Sequence, residues 1–388
     1  MKYVDEFRDR SRCQVVLDRI VKRSTRKWTI MEVCGGQTHG LLRFGIDEAL
    51  RSQVQLIHGP GCPVCVTSAE AIDRAIELSL RPNTVVLTFG DMLRVPGSHR
   101  SLMQMQALGG NVQAVYSPLD AIMLATQQPT IQFVFFAVGF ETTLPATAIA
   151  VLQAYEKGLK NLLFLLAHVR VPPAMQFVLE QPDCSIDGFL AAGHVCTVMG
   201  IEECVKISMD YQVPIVVTGF EPLDLLLGIE ECVRLLEAKE NVVSNLYRRV
   251  VNDEGNGSAK RLIAEVFEVD DQDWRGLGQI HQGGFKLKPK YSELDAANLL
   301  VKDDGQWLGW RGQYGNFSKS DECLSGQVLT GKMKPTDCPH FGKRCSPESP
   351  LGAPMVSSEG ACAAYYQYAQ ENVGLSGNDH EGDEHEPT

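Results

Sequence analysis

The motif best suited to chemistry in this sequence is a pair of cysteines, Cys62 and Cys65, with two residues between them. They follow an apolar run at residues 54–57 and precede a helical pattern that begins near Ser68. We therefore expect both cysteines on a strand-to-helix turn, where free N–H groups and the helix dipole favour a thiolate. Such a pair can form a disulfide, bind a metal or alternate between these states.

A third cysteine, Cys34, begins a Gly-Gly loop after another apolar run at residues 28–33, and His39 lies five residues further on. Glycines allow a backbone to approach a ligand closely, and a thiolate is a soft donor that suits low-spin iron. The alternative is a core cysteine beside a glycine turn. We keep His39 as a second candidate, either as a ligand or as a proton donor.

Four further cysteines form a group near the C-terminus: Cys323, Cys338, Cys345 and Cys362. Four thiolates can hold either structural zinc or an iron–sulfur cluster. Zinc sites usually contain a close Cys-x-x-Cys pair, and this group has none. The wide spacing, with a proline shortly after two of the cysteines, favours a [4Fe-4S] cluster over zinc and over unligated thiols.

Acidic and histidine residues follow several other apolar runs. Glu141 and Glu221 each end a Gly-Phe-Glu turn, and His194 follows a glycine after a further run. The two glutamates could carry protons, or they could stabilise a helix N-terminus through its dipole. His194 is a candidate ligand or proton donor in a cleft, although a histidine at a strand end is more often structural.

The elements that must position these residues are short apolar strands alternating with helices, which predicts an α/β fold with parallel sheets. The alternation occurs twice and the Gly-Phe-Glu turn is repeated, which indicates two similar α/β domains facing a cleft. Loops at the carboxyl ends of parallel strands are where such sheets place their sites. The predicted units are a helical arm (1–27), α/β domain I with Cys34, Cys62 and Cys65 (28–108), α/β domain II (109–228), a linker helix with an irregular α+β domain III that holds the cluster (229–373), and a disordered acidic tail (374–388).

The composition excludes several classes of protein. The 388 residues include 48 acidic and 36 basic side chains, and the net charge of −12 argues against nucleic acid as the main partner. The N-terminus lacks the apolar segment of a signal peptide, and the longest apolar runs are too short to span a membrane. We therefore expect a cytoplasmic protein whose twelve cysteines are metal ligands or redox thiols.

Taken together, these motifs resemble the HypD family of hydrogenase maturation proteins from about residue 5 to residue 373. The segments that carry the resemblance are, in chain order, 31–39 (Met-Glu-Val-Cys-Gly-Gly-Gln-Thr-His), 58–65 (His-Gly-Pro-Gly-Cys-Pro-Val-Cys), 139–143 (Gly-Phe-Glu-Thr-Thr), 219–222 (Gly-Phe-Glu-Pro), 274–278 (Trp-Arg-Gly-Leu-Gly) and 355–362 (Met-Val-Ser-Ser-Glu-Gly-Ala-Cys). Because several separate motifs occur in order, chance is a poor explanation.

The resemblance implies a redox-active scaffold rather than a conventional turnover enzyme. With the small chaperone HypC, such proteins hold the iron centre of nickel–iron hydrogenases while it acquires two cyanides and one carbon monoxide. HypE would supply the cyanide, and the hydrogenase large subunit would be served indirectly. By motif match, Cys34 would bind the iron, Cys62 and Cys65 would be the redox or iron-binding pair, and the four C-terminal cysteines would be the cluster ligands.

The predicted third domain is also similar to the cluster-bearing part of ferredoxin–thioredoxin reductase. This similarity suggests that electrons pass between the cluster and the pair Cys62 and Cys65. A stand-alone, cluster-dependent thiol–disulfide oxidoreductase is therefore the alternative function. A structural zinc or cluster protein that acts only as an interaction module is the third possibility.

Overall fold

The computed structural model of the protein describes residues 4–300 and 322–375. Its strands are, in chain order, β1 (Trp28–Glu32), β2 (Val54–His58), β3 (Thr84–Thr88), β4 (Val112–Ala114), β5 (Gln132–Gly139), β6 (Leu162–His168), β7 (Gly188–Ala192), β8 (Ile215–Thr218), β9 (Val243–Asn245), β10 (Phe267–Trp274) and β11 (Gly278–Leu287). Its α-helices are α1 (Arg10–Arg23), α2 (Gly35–Arg43), α3 (Ile46–Ala49), α4 (Pro63–Val66), α5 (Ala69–Ser79), α6 (Leu102–Gln106), α7 (Pro118–Gln127), α8 (Leu144–Glu156), α9 (Val171–Leu179), α10 (Gly193–Met199), α11 (Glu202–Tyr211), α12 (Pro222–Ala238), α13 (Gly257–Val266), α14 (Ser325–Leu329), α15 (Ala353–Val356) and α16 (Ala361–Leu375). Short 3-10 helices occupy Asp5–Phe7, Gly90–Leu93, Pro289–Leu294, Ala296–Leu299 and Pro335–Asp337.

The strands of the described residues form two parallel sheets and one antiparallel hairpin. The first sheet has the strand order β2-β1-β7-β8-β9, and the second has the order β4-β3-β5-β6. Every pairing within these two sheets is parallel, whereas β10 and β11 pair in antiparallel register. The predicted α/β fold with parallel sheets is therefore confirmed, and the predicted cleft stays a prediction.

Helices cover both faces of each sheet, which explains why the strands read as continuous apolar runs. In β5, Phe135 packs with one apolar cluster and the next residue, Phe136, packs with the cluster on the opposite face. In β1, Ile30 packs with residues of α1 and α12, whereas Met31 packs with residues of α9 to α11. Each such buried side chain contributes about 1.5–3 kcal/mol to the free energy of unfolding.

The two sheets do not follow each other along the chain. Strands β1 and β2 belong to the first sheet, β3 to β6 form the second, and the chain then returns to the first sheet with β7. The boundary predicted between residues 108 and 109 therefore falls inside the second sheet, since β3 pairs with β5. Alternation of strands and helices predicts the elements, but only side-chain packing decides which sheet each strand joins.

The predicted linker helix is also placed differently. Helix α12 begins at Pro222, where proline suits the first helical turn, and it ends before Lys239, which has a positive φ of 55°. Strand β9 then pairs with β8, so residues 222–245 belong to the first sheet and not to a linker that starts at residue 229. Helix α1, the predicted arm, packs against α12.

The described C-terminal part is irregular in structure, and the cluster-bearing domain III predicted there stays a prediction. Beyond the β10–β11 hairpin this part consists of short helices and turns, followed by α16. Helix α16 extends through residues 374 and 375, which the sequence assigns to the acidic tail, and residues 376–388 lie outside the described residues. Within residues 4–300 and 322–375, every helix is too short or too polar to cross a bilayer.

Candidate redox and metal site

Two touching loops at the carboxyl ends of neighbouring strands carry Cys34, Cys62 and Cys65. Cys34 follows β1 and is the N-cap residue of α2, and Cys62 follows β2 and is the N-cap residue of α4. The N–H of Gly35 donates to the carbonyl of Gly61 at 3.0 Å. A Cβ atom on Gly61 would overlap the backbone nitrogen of Cys34, so only glycine permits this approach.

Cys62 and Cys65 form a disulfide, which is one of the three states that the sequence allows. The Sγ atom of Cys62 also accepts a hydrogen bond from the N–H of Cys65 at 3.1 Å. Both residues are buried, with exposed fractions of 3% and 1%. The expected turn from a strand into a helix is present, but with both sulfurs joined there is no thiolate for the helix N-terminus to stabilise.

Cys34 is a buried cysteine that forms no disulfide. Burial and then the negative charge of Glu32 raise its pKa to about 12, while the backbone N–H groups of Gly36 and Gln37 act in the opposite direction. A thiolate at Cys34 is therefore not favoured at neutral pH. The free-energy cost of burying its charge exceeds the stabilisation that the N–H groups at the helix N-terminus provide. A metal cation would be needed to hold Cys34 as a thiolate.

His194, which the sequence offers as a candidate ligand or proton donor, contacts Cys34. Its Nδ1 and Nε2 atoms lie 3.7 and 3.9 Å from Sγ of Cys34. The imidazole stacks on Phe220, with ring centroids 5.2 Å apart, and burial lowers its pKa. A neutral imidazole beside a thiol can accept a proton or bind a soft metal.

A buried carboxylate, Glu32, organises the Cys34 loop. Its Oε2 atom accepts from the N–H of Cys34 at 2.7 Å, and its Oε1 atom accepts from the hydroxyl of Thr38 and from Nδ1 of His58, the latter at 2.7 Å. The exposed fraction of Glu32 is only 1%. Three donors therefore compensate this carboxylate for the loss of water.

A chain of hydrogen bonds continues from Glu32 to the surface through helix α16. Nε2 of His58 lies 2.9 Å from the hydroxyl of Tyr365, and that hydroxyl donates to Asp47 at 3.3 Å. Asp47 is in turn paired with Nζ of Lys334 at 3.2 Å. Tyr365 lies one helical turn after Cys362, so the chain joins the Cys34 loop to the helix that carries a C-terminal cysteine.

His39 faces α16 rather than any cysteine. Its Nδ1 atom lies 3.0 Å from the hydroxyl of Tyr368, and its Nε2 atom hydrogen-bonds the carbonyl of Ser358. The carboxylate of Glu359 acts electrostatically on both Cys34 and His39. His39 therefore tethers the C-terminal segment to the loop that Cys34 begins.

The two Gly-Phe-Glu turns have different environments despite their common sequence. Glu141 is 1% exposed, and burial raises its pKa to about 7. Its Oε1 atom accepts from the N–H of Val171 at 3.0 Å, whereas Oε2 has no hydrogen-bond partner among the described residues. Glu221 is the N-cap residue of α12 and pairs with Arg8, with Nη2 of Arg8 donating to Oε1 at 2.9 Å.

The four C-terminal cysteines line one cavity. Their neighbours in its wall are mainly apolar side chains, including those of α14 and α15. Burial raises the pKa of Cys362, and negative charge on the other three cysteines raises it further, so the four thiols act on one another. In the part of the chain that the structure describes, no three His, Cys, Asp or Glu side chains converge closely enough to hold a single metal ion.

Sequence reasoning missed three residues of this site: Glu32, Tyr365 and Glu359. Glu32 is a charged residue at the end of an otherwise apolar strand, two positions before Cys34, and an unpaired charge there would be costly. Glu359 and Tyr365 lie three positions before and after Cys362. Helical spacing could have placed Tyr365 on the same face of α16 as Cys362, but not beside His58.

A family model described as "HypD: Hydrogenase formation hypA family" matches residues 11–369. The hydrogenase maturation factor HypD of Escherichia coli is 44% identical over 385 residues, which covers 96% of this chain and 99% of that protein. The protein of the same name from Rhodobacter capsulatus is 43% identical over 376 residues, with 95% and 98% covered. The one from Azotobacter vinelandii is 42% identical over 380 residues, with 96% and 98% covered.

Proposed function

The chain belongs to the HypD family of hydrogenase maturation factors, and we propose that it is the redox-active scaffold on which iron receives its cyanide and carbon monoxide ligands. In this proposal HypC completes the iron site and HypE delivers cyanide. The product iron centre then passes to the hydrogenase large subunit. Iron is the substrate here, and Cys34 is its ligand from this chain.

The observation that carries the proposal is the packing of α16 on the Cys34 loop. Tyr365 and Tyr368 of this helix contact His58 and His39. Both histidines lie in the stretch of chain between Cys34 and Cys62. The same helix contributes Cys362 to the wall of the four-cysteine cavity. A thiol suited to iron, a disulfide and a four-thiol pocket are thus parts of one hydrogen-bonded assembly.

The neighbours of Cys34 suit a ligand that binds a soft metal. Binding iron converts the thiol of Cys34 to a thiolate and releases one proton. Nδ1 of His194, which could accept this proton, lies 3.7 Å from Sγ of Cys34. Glu32 fixes the backbone of Cys34 through its N–H. Because Cys34 is only 3% exposed, iron reaches it only when the side chains that cover it move, and a partner such as HypC could induce that movement.

We assign the four-cysteine cavity to a [4Fe-4S] cluster, because its cysteines lack the close Cys-x-x-Cys pair that is usual in zinc sites. Four thiols in a largely apolar wall supply the ligand set of a cubane, and the N–H of Leu351 donates to Sγ of Cys345 at 3.4 Å. When bound, the cluster would carry single electrons from an external one-electron donor. Reduction of the Cys62–Cys65 disulfide to two thiols consumes two electrons and two protons.

Burial of the disulfide disfavours the alternative of a stand-alone oxidoreductase. Thiol–disulfide exchange with a client protein requires an attacking thiolate to reach one sulfur in line. Exposed fractions of 3% for Cys62 and 1% for Cys65 prevent this approach in the present conformation. Electrons supplied from within the protein do not need such access.

The test is anaerobic co-expression with HypC, followed by iron and sulfide analysis and infrared spectroscopy. Wild type is expected to bind iron beyond that of the cluster and to show cyanide and carbon monoxide bands. Cys34→Ala is expected to retain the cluster iron and to lose these bands. Cys184→Ala removes a half-buried thiol outside the site and serves as the matched control. Normal hydrogenase maturation by Cys34→Ala would contradict the proposal.

A further inference from the structure

The turn between β10 and β11 lies directly against the segment that carries the disulfide. Trp274, the last residue of β10, enters this turn and is fully buried. Its Nε1 donates to the carbonyl of Gly283 at 3.0 Å, and its backbone forms an isolated bridge with Thr67. The backbone N–H of Arg275 donates to the carbonyl of Val66 at 2.8 Å. Val66 is the residue after Cys65, so the position of the Arg275 backbone is fixed relative to the disulfide.

The same turn contacts the segment that follows Cys323. Gly276 has a φ of 82°, a conformation that favours glycine, and a Cβ atom there would lie 3.0 Å from the backbone nitrogen of Gly326. The hydroxyl of Ser325 lies almost as close. Arg275 therefore stands between the disulfide segment and the chain that supplies the first cysteine of the four-cysteine cavity.

The Arg275 guanidinium is not fully compensated. Its Nη2 atom donates to the carbonyl of Gly97 at a long 3.4 Å, and its buried Nη1 atom has no hydrogen-bond partner among the described residues. Burial lowers its pKa, and the negative charges of Cys323 and Asp73 raise it. Asp73 already accepts from the N–H of Ser98 at 2.9 Å.

A buried cation with an unused donor is costly unless negative charge lies nearby. Arginine keeps its charge under all ordinary conditions, so it cannot lower this cost by releasing a proton. Four cysteine thiolates bring more negative charge to a cubane than its iron–sulfur core neutralises, and each added electron increases the excess. A loaded four-cysteine site would therefore add to the negative charge that Asp73 already places near Arg275.

We propose that Arg275 is the counter-cation of the four-cysteine site and that, by standing between this site and the Cys62–Cys65 disulfide, it favours the reduced state of the cluster. Arg275 is a positioning residue, since it acts through the charge of the ligands and touches no reacting atom. The inference depends on the proposed function only in requiring that the four cysteines hold a cluster.

The expected size of the effect follows from the charge. A fixed cation at the distance of a neighbouring side chain, screened as in a protein interior, changes a one-electron reduction equilibrium by about tenfold. For a one-electron couple, tenfold corresponds to about 59 mV. Arg275→Gln should therefore move the midpoint potential of the cluster about 59 mV more negative.

The experiment is a redox titration of the anaerobically purified full chain, monitored by visible absorption and electron paramagnetic resonance. The variants are Arg275→Gln and Arg275→Lys. Arg26→Gln is the control, because Arg26 is an exposed arginine before β1 that pairs with Asp187, so its loss changes the net charge equally. The cluster of the control should have the wild-type midpoint potential. The reduction equilibrium of the cluster in Arg275→Lys should stay within about threefold of wild type, because lysine keeps the positive charge.

The outcomes separate the inference from the proposed function. An Arg275→Gln variant that retains its cluster and the wild-type potential would overturn the role of Arg275. If Arg275→Gln does not retain a cluster, Arg275→Lys is the deciding variant. A tenfold or larger change in its cluster reduction equilibrium, despite the retained positive charge, would also overturn the role of Arg275. A wild-type protein without cluster iron and sulfide would instead overturn the proposed function.

Discussion

Nε2 of His58 lies 2.9 Å from the hydroxyl oxygen of Tyr365, although 307 residues separate them in the sequence. The two rings meet edge to face, with centroids 5.2 Å apart. Through this contact the loop that carries the disulfide and the helix that carries Cys362 share one buried hydrogen-bond chain. The stability of the protein and the thiol chemistry of Cys34 should therefore depend on the residues of this hydrogen-bond chain.

Tyr365→Phe should destabilise the protein by about 1–2 kcal/mol, because Nε2 of His58 and the carboxylate of Asp47 each lose a hydrogen-bond partner. The phenylalanine ring preserves the packing, so the decrease in the free energy of unfolding measures the contribution of the hydroxyl group alone. The measurement is the midpoint of thermal or urea unfolding. Tyr366→Phe, whose ring packs on Phe341, is the matched control and should unfold like wild type. Equal midpoints for both variants would disprove the role of the chain.

Glu32→Gln should lower the pKa of Cys34 from about 12, because the variant removes a negative charge that now raises it. The pKa should stay above that of a free thiol, since burial is the larger cause and is unchanged. The thiolate fraction at pH 8–9 should rise about threefold to tenfold. Mass spectrometry of Cys34 alkylation against pH measures this change.

The pH midpoint of alkylation, rather than its plateau rate, is the decisive quantity for Glu32→Gln. A loosened loop would raise the plateau without moving the midpoint. Glu48→Gln removes an exposed carboxylate that pairs with Arg51, so it serves as the control. A midpoint that stays in place or moves upward in Glu32→Gln would refute the electrostatic account.

Glu141→Gln should become more stabilising, relative to wild type, as the pH rises from 5 to 8. Burial raises the pKa of Glu141 to about 7, so between about pH 4.5 and 7 the folded protein binds more protons than the unfolded chain. Wild-type stability from this group is therefore lost as the pH rises through that window, by at most about 3 kcal/mol. Glutamine has no proton to lose and avoids this cost.

Unfolding midpoints of wild type and Glu141→Gln at several pH values test this prediction. Glu221→Gln is the matched control from the twin turn, where the carboxylate is paired with Arg8 at the surface. It should show no gain in relative stability with rising pH. A difference between wild type and Glu141→Gln that is constant from pH 5 to 8 would contradict the assignment.

Cys323→Ala should lower both the iron content and the thermal midpoint of anaerobically purified protein. Loss of one ligand leaves three thiols around the cavity and a labile cluster. Iron and sulfide analysis and visible absorption measure the loading, with Cys184→Ala as the control. A brown Cys323→Ala protein that melts like wild type would show that the four cysteines do not act together.

The sequence by itself predicted the class of fold and the local position of Cys34, Cys62 and Cys65 after their strands. Apolar runs bounded by glycine-rich loops correctly indicated the strands before Cys34 and Cys62, because a strand buried on both faces of a parallel sheet must be apolar throughout. It failed on which strands share a sheet, since β3 and β7 have similar patterns but belong to different sheets. It also could not distinguish Glu141 from Glu221, whose local sequences are alike.

What the tertiary structure decided is the environment of each group. The spacing of Cys62 and Cys65 already determined that their sulfurs can act together, because residues three positions apart in a turn are close in space without any tertiary contact. Burial raised the pKa of Cys34, and packing brought Glu32, His58 and Tyr365 into one hydrogen-bond chain and placed Arg275 between two sulfur sites. Desolvation and long-range contacts depend on residues hundreds of positions apart, so no local pattern carries them.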